Sequence, residues 1–283
     1  MPKKKKQKCP KIGLALSGGS ALGIAHIGAI RALRENKIPI DYVSGTSAGA
    51  IVATALAFGV SLEKMIELSC RLSWSNLSEF GYSKLGLNSN RPVGEIMIEL
   101  VGDKKIEDAS IPLAIIATDI DTGEKIIFRK GSVADAVRAS TCLPGFFIPT
   151  KIKGKRLVDG GLTENLPLSP LRKMGADVRV GIDLGHFRTL KKTHNVLDVI
   201  TNAYNILIKP QENIPAEDVE VLVEPHLEKF HSTDFKKVDE LMQAGYHAAR
   251  LKIPQIKKYL GRKTKTVPKS FWQKLVDFFR KSV

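Results

Sequence analysis

The sequence predicts an α/β fold, a three-layer α/β/α sandwich around a central, mostly parallel sheet. Three observations lead there. The first sixty residues alternate strand, loop, helix, strand, loop, helix, the pattern of parallel strands joined by crossover helices. Residues 113–118, Leu-Ala-Ile-Ile-Ala-Thr, form an unbroken apolar run, as expected of a strand buried on both faces. Residues 177–183 repeat that character further along the chain.

Residues 12–16 are a short apolar strand that runs into Ser17-Gly18-Gly19-Ser20, a tight loop. Residues 23–36 carry Ile24, Ile27, Ile30 and Leu33 at helical spacing. Tyr42-Val43-Ser44 is the second strand, and the Ala-rich residues 48–58 form a helix that stops at Gly59. A helix is expected over 62–72. Residues 73–91 read as a Ser/Asn/Gly-rich loop with exposed aromatics, Trp74, Phe80 and Tyr82, of the kind that covers a site or packs as a surface excursion. Residues 125–129 pair with the strand at 113–118 as its hairpin neighbour. A short helix is expected over 133–140, and 143–149 break regular structure. Residues 156–161 are a strand ending in a turn. Residues 197–208 and 235–259 are helices. No repeat of solenoid length is visible.

The 283 residues are 43% hydrophobic and 26% charged, which excludes wholesale disorder. Forty-four Lys and Arg against 29 Asp and Glu give a net charge of +15, so an anionic partner surface is expected, lipid or nucleic acid. Cys9, Cys70 and Cys142 are too widely spaced for a zinc site or a disulfide framework. A reducing compartment is expected, with neither metal nor cofactor. No apolar stretch approaches the roughly 18 residues of a membrane span. The start, Met1-Pro-Lys-Lys-Lys-Lys, is similar to the basic end of a secretory signal. Glycines interrupt the apolar residues after it, so a cleaved signal is not expected.

Gly45-Thr46-Ser47-Ala48-Gly49 places Gly-x-Ser-x-Gly between a predicted strand and a predicted helix, the context in which a middle serine acts as a nucleophile. The turn lifts Ser47 out of the sheet, the flanking glycines avoid clashes, and the helix N-terminus favours developing negative charge. The plain alternative is a tight turn with a capping serine. Such a serine needs a base. Asp159, opening Asp159-Gly160-Gly161 at a strand end, meets it if the C-termini of parallel strands gather on one edge. An Asp-Gly hairpin turn is the alternative. In the first loop, successive glycines turn backbone N–H groups toward one point. A nucleotide cradle is disfavoured there, because Ser20 stands where Gly-x-Gly-x-x-Gly needs glycine and no Gly-Lys-Ser/Thr follows. An oxyanion hole is the better reading. A Ser-Asp-His order is open to His186, His194, His226, His231 and His247, all after Asp159. The early nucleophile strand and the glycine loop before it argue against that order. His26 reads as a packing or hydrogen-bonding helix residue.

Taken together, the glycine loop, Gly-x-Ser-x-Gly and Asp-Gly-Gly resemble the patatin-like phospholipases, and within them the small bacterial proteins of that kind. Supporting matches are Ala25-His26-Ile27-Gly28, the run from Ala139 to Pro149, Asn165-Leu166-Pro167 and Gly175-Ala176-Asp177. The resemblance covers residues 12 to 185. It implies the patatin-like fold and a metal-free lipid acyl hydrolase, whether phospholipase, lysophospholipase or carboxylesterase. Ser47 is then the nucleophile, Asp159 the base, and Gly18, Gly19 and Ser20 the oxyanion hole; Gly45, Thr46, Ala48, Gly49, Gly160 and Gly161 complete the motifs. An ordinary Asp carboxyl, near pKa 3.9, is a weak base at neutral pH, so the oxyanion hole must supply much of the barrier lowering. The family's loop carries a third glycine and a basic residue where this chain has Ser20 and Leu22. Leu22 sustains a second reading, an inactive patatin-fold protein that binds lipid or signals.

The expected organisation is a basic disordered tail over 1–11, a catalytic domain over 12–260 and a basic amphipathic segment over 261–283. From Pro268 onward, Phe271, Trp272, Leu275, Val276, Phe278 and Phe279 gather on one helix face flanked by lysines and arginine. Such a helix lies in a membrane interface, or docks on its own domain or a second subunit. The expected substrate is phospholipid or another acyl-ester lipid at an anionic membrane surface, on the cytoplasmic side. Nucleic acid is disfavoured as a partner, since charge alone supports it.

Overall fold

A computed structural model of the chain describes residues 9–81, 83–185, 190, 192–194, 196–208 and 218–261. The basic start, Tyr82, His186 and the amphipathic segment from Pro268 lie outside the described residues.

The elements are β1 (Ile12–Leu16), α1 (Ile24–Glu35), β2 (Tyr42–Thr46), α2 (Ala48–Ala57), α3 (Leu62–Arg71), α4 (Trp74–Leu77), β3 (Glu79–Phe80), β4 (Gly86–Ser89), α5 (Arg91–Val101), β5 (Leu113–Asp119) and β6 (Lys125–Phe128). They continue with α6 (Val133–Ser140), β7 (Gly145–Phe147), β8 (Thr150–Ile152), β9 (Lys155–Asp159), α7 (Gly161–Glu164), α8 (Ser169–Met174), β10 (Val178–Ile182), α9 (Val196–Leu207), β11 (Val221–Val223) and α10 (Val238–Leu260). A 3-10 turn over Ser20–Gly23 leads into α1.

The main sheet runs β11-β10-β1-β2-β5-β9-β8, with β6 also on β5. Its first five strands are parallel. Side chains alternate between faces, and the helices divide accordingly. Ile12, Leu14 and Leu16 of β1 enter the main core with Ile27, Ile30 and Leu33 of α1 and Leu241 and Ile256 of α10. Ala15, between them, faces Leu168 and Leu171 at the short α8. The sandwich is therefore lopsided, with long helices on one face and short ones on the other.

Several expectations change. Residues 73–91 are not a loop: they fold into α4, β3 and β4, and β4 pairs with β7 in a small second sheet. Trp74 is half-buried there, while Phe80 is 87% exposed. Residues 143–149, expected to be irregular, contain β7. Lys11 does not belong to a loose tail: its N–H donates to the Asp177 carboxylate and its carbonyl accepts from Asp177 and Val178. The helix expected over 235–259 starts at Val238, and Phe235 packs its ring on Trp74 instead. No helix among the described residues is long and apolar enough to cross a membrane.

Candidate active site

β2 ends at Thr46 and α2 begins at Ala48, so Ser47 alone makes the turn. Its backbone is strained, with φ 53° and ψ −125°, a region that non-glycine residues rarely occupy. Two contacts hold it there. The Ser47 N–H donates to Ser140 Oγ at 2.9 Å, and its carbonyl accepts from the Ala50 N–H. The flanking glycines are required by close backbone approach, not by their angles. A Cβ on Gly45 would lie 2.4 Å from the Gly49 carbonyl oxygen, and one on Gly49 would lie 2.2 Å from that of Leu16. Ser47 is half-buried, at the positive end of the α2 dipole.

Asp159 reaches this turn by a route the sequence does not suggest. β9 runs antiparallel to β5, so Asp159 is not brought there by strands pointing the same way. β6 pairs with Ile115–Thr118 of β5 along one edge. β2 and β9 must therefore share the other edge. Thr46 is opposite Ile116, and Asp159 is opposite Ala117, the next residue. β2 leaves the sheet at Ser47, and the end of β9 occupies the place it vacates. Asp159 is 2% exposed. Its N–H donates to the Cys142 carbonyl at 2.8 Å and its Oδ1 accepts from the Gly161 N–H at 2.9 Å. Gly160 takes an ordinary helical φ of −68°; a Cβ on it would lie 2.3 Å from the Ile116 carbonyl oxygen. The Asp-Gly pair therefore does not close a plain hairpin.

The glycine loop lies across the same edge. Ser17 is tied down on both sides, through its N–H to the Ile182 carbonyl and through its Oγ, which accepts from the Leu184 N–H. His26 is fully buried in α1, with Nε2 2.8 Å from the Ser17 carbonyl oxygen. A carbonyl only accepts, so Nε2 carries the proton in that bond. Of the three expected oxyanion donors, Gly18 is already engaged. Its N–H donates to Asn165, at the carbonyl oxygen and Oδ1. The N–H groups of Gly19 and Ser20 have no acceptor among the described residues. Ser20 has a positive φ of 52°, where glycine is accommodated without strain. Leu22 is 1% exposed and packs in the main core, away from the cavity that Gly19, Ser20, Ala21 and Gly23 line.

Ser47 and Asp159 both line one largely apolar cavity that opens between α2, α3 and α9. At its wall, Trp74 meets Phe146 edge-on at 5.3 Å and Phe235 at 6.0 Å. None of the described histidines lines it, which removes support from the Ser-Asp-His order. Ser140 and Asn165, which position Ser47 and Gly18, stand in the sequence only as members of the runs from Ala139 to Pro149 and from Asn165 to Pro167. Nothing in those runs assigns either side chain a role. Among the described residues no group of three His, Cys, Asp or Glu could hold a metal ion.

Cys142 lies directly beside Asp159, and burial pushes its thiol up to about 12. It is a neutral thiol at physiological pH, donating to the Ile148 carbonyl. In native protein at pH 8, Cys9 and Cys70, both exposed, should react with a thiol reagent while Cys142 reacts only after denaturation. The unfolded thiol ionises before the folded one. Its contribution to stability is therefore present below about pH 9 and is lost as pH rises toward 12. Rapid labelling of all three thiols in the native protein would contradict the buried placement.

Residues 14–172 match the family model described as patatin-like phospholipase. An uncharacterized NTE family protein of Mycobacterium tuberculosis is 33% identical over 178 residues, which is 62% of this chain and 49% of that protein. Patatin-like phospholipase domain-containing protein 7 of Mus musculus is 28% identical over 281 residues, 84% of this chain and 20% of that protein. The chain thus spans about half the length of the first and a fifth of the second. Among solved structures, the type III effector ExoU of Pseudomonas aeruginosa aligns over 90% of this chain and 54% of its own, with TM-score 0.52 and 16% identity. VipD from Legionella pneumophila aligns over 89% and 67%, with TM-score 0.50 and 14% identity. At such identities the likeness is one of fold.

Proposed function

Because the chain belongs to the patatin-like phospholipase family, we propose that it hydrolyses acyl esters of lipids through Ser47 and Asp159. One observation carries this reading: the strained Ser47 at a helix N-terminus follows Thr46, which stands opposite Ile116 of β5, the buried Asp159 stands opposite the next residue, Ala117, and Ser47 and Asp159 line one apolar cavity.

The chemistry needs three parts. Asp159 takes the Ser47 hydroxyl proton as Oγ attacks the ester carbonyl. The Gly19 and Ser20 N–H groups, with the α2 dipole, stabilise the oxyanion. As the tetrahedral intermediate collapses, the alcohol leaves with the proton held by Asp159 and an acyl-serine remains. Water then attacks this ester, gives a proton to Asp159, and the second collapse returns that proton to Ser47 and releases the acid. The Gly161 N–H fixes the Asp159 carboxylate through Oδ1. Leu22 does not oppose this reading, because its side chain lies in the core and the loop's donors are backbone groups. The charge of +15 suits anionic phospholipid at a membrane surface.

The test is fatty-acid release from anionic phospholipid vesicles and from short-chain esters by wild type, Ser47→Ala and Asp159→Ala. Both variants should lose about a thousandfold or more in kcat while circular dichroism stays native. Release that survives Ser47→Ala would refute the serine mechanism. No release by wild type on any ester would favour the lipid-binding alternative.

A further inference from the structure

α2 shows the cavity a stripe of residues at i, i+3, i+4 and i+7: Ala48, Ile51, Val52 and Ala55. The same spacing recurs across α3 and its C-cap in Met65, Leu68, Ser69 and Leu72. Two helices thus turn matching faces to one space. The space is apolar along this length, because the Ser69 hydroxyl is spent on the Met65 carbonyl at 2.8 Å. It starts at Ser47, the residue immediately before α2, and runs along that helix away from the turn.

At the end remote from Ser47 the lining residues are buried. Ala55 is 2% exposed and Met65 3% exposed. The chain turns tightly there, with the Val60 N–H donating to the Ala55 carbonyl and the Met65 N–H to the Ser61 carbonyl. α3 then returns toward the mouth, since Trp74 follows it and packs on Phe146 and Phe147. Ala55 and Met65 therefore stand at the blind end, and Leu72 stands near the opening.

The helix rise sets the slot's length. Seven residues of α-helix, from Ala48 to Ala55, rise about 10 Å. An extended chain advances roughly 1.2 Å per bond, taking the span of an extended peptide over its three backbone bonds. The slot therefore holds about eight bonds beyond the carbonyl carbon at Ser47, a chain of about nine carbons. We propose that the space between α2 and α3 is an acyl ruler ended by Ala55 and Met65, selecting a single straight acyl chain of about eight to ten carbons. The proposal rests on the reading that Ser47 takes the acyl group.

Two chain-length series test it on wild type, Ala55→Leu and Met65→Ala. One is kcat/KM for p-nitrophenyl esters from butanoate to hexadecanoate, kept below their aggregation limits. The other is equilibrium affinity for the free saturated fatty acids, which needs no turnover. Wild type should prefer eight to ten carbons in both. Ala55→Leu puts a branched side chain at the blind end and should move the optimum down by about two carbons, lowering the decanoate-to-hexanoate ratio about tenfold. Met65→Ala opens the end and should move the optimum up by about two carbons. If crowding by Ala55→Leu prevents folding, seen by circular dichroism, Met65→Ala still decides. An unmoved profile in the folded variants, or a wild-type optimum beyond fourteen carbons, overturns the ruler. Fatty-acid affinity that follows the expected profile without ester cleavage would leave the ruler standing and remove the hydrolase reading. Cleavage with a flat, unmoved profile would do the reverse.

Discussion

Ser47→Gly should give a protein that releases no fatty acid and melts above the wild type. Ser47 is held at φ 53°, ψ −125°, and a side chain in such a region costs about 1–3 kcal/mol. Glycine adopts those angles without strain, though it adds roughly 0.5–1 kcal/mol of entropy to the unfolded chain. The net gain should be about 1 kcal/mol, or a rise of roughly 2–4 °C in Tm for a domain of this size. Ser47→Ala is the informative partner. It removes the same hydroxyl but keeps the Cβ, so it should lose the activity without the gain in Tm. Side-by-side melting curves separate the two. If Ser47→Gly melts no higher than Ser47→Ala, the turn is not strained and the argument for a nucleophile held under tension is lost.

A second large effect lies far from the cavity. α1 and α10 cross with their backbones in contact. A Cβ on Gly28 would lie 1.9 Å from the Met242 carbonyl oxygen, and one on Gly245 would lie 1.8 Å from that of Ala25. Neither neighbour is a flexible side chain, so the helices themselves must separate. Gly245→Ala should therefore destabilise by about 2–4 kcal/mol, against an ordinary helix gain of roughly 1 kcal/mol for replacing glycine with alanine. That is a fall of about 4–16 °C in Tm. The consequence reaches the site, because α1 begins where the glycine loop ends and the Ala21 N–H donates to the Ser232 carbonyl just before α10. Part of the ester cleavage should be lost even well below the melting temperature. A variant that melts like wild type would show that the helices do not cross this closely.

The two halves of the candidate site differ in how readable they are. Ser47 can be found from its immediate neighbours. A short strand, a turn with glycines two residues either side and an Ala-rich helix all lie within twenty residues, and each is a local property. Asp159 is recognisable only by its motif, and the gathering of parallel strand ends does not explain its position. Nothing local to residues 155–161 tells that β9 runs against β5 or that it takes over the edge where β2 leaves off. The loop shows the same division. Its glycines announce a backbone nest, but which N–H is free depends on Asn165, almost 150 residues away.

The alternation of strand and helix, the Gly-x-Ser-x-Gly turn and the family to which these motifs belong are all legible in the residues alone. They depend on steric rules and periodicities that act over a few positions. The antiparallel approach of Asp159, the engagement of Gly18 by Asn165, the burial of Leu22 and the paired stripes of α2 and α3 emerge only when the chain is folded. Each of these depends on which surfaces meet. A side chain's neighbours are set by packing between segments distant in the chain, and that packing is chosen by the whole core at once.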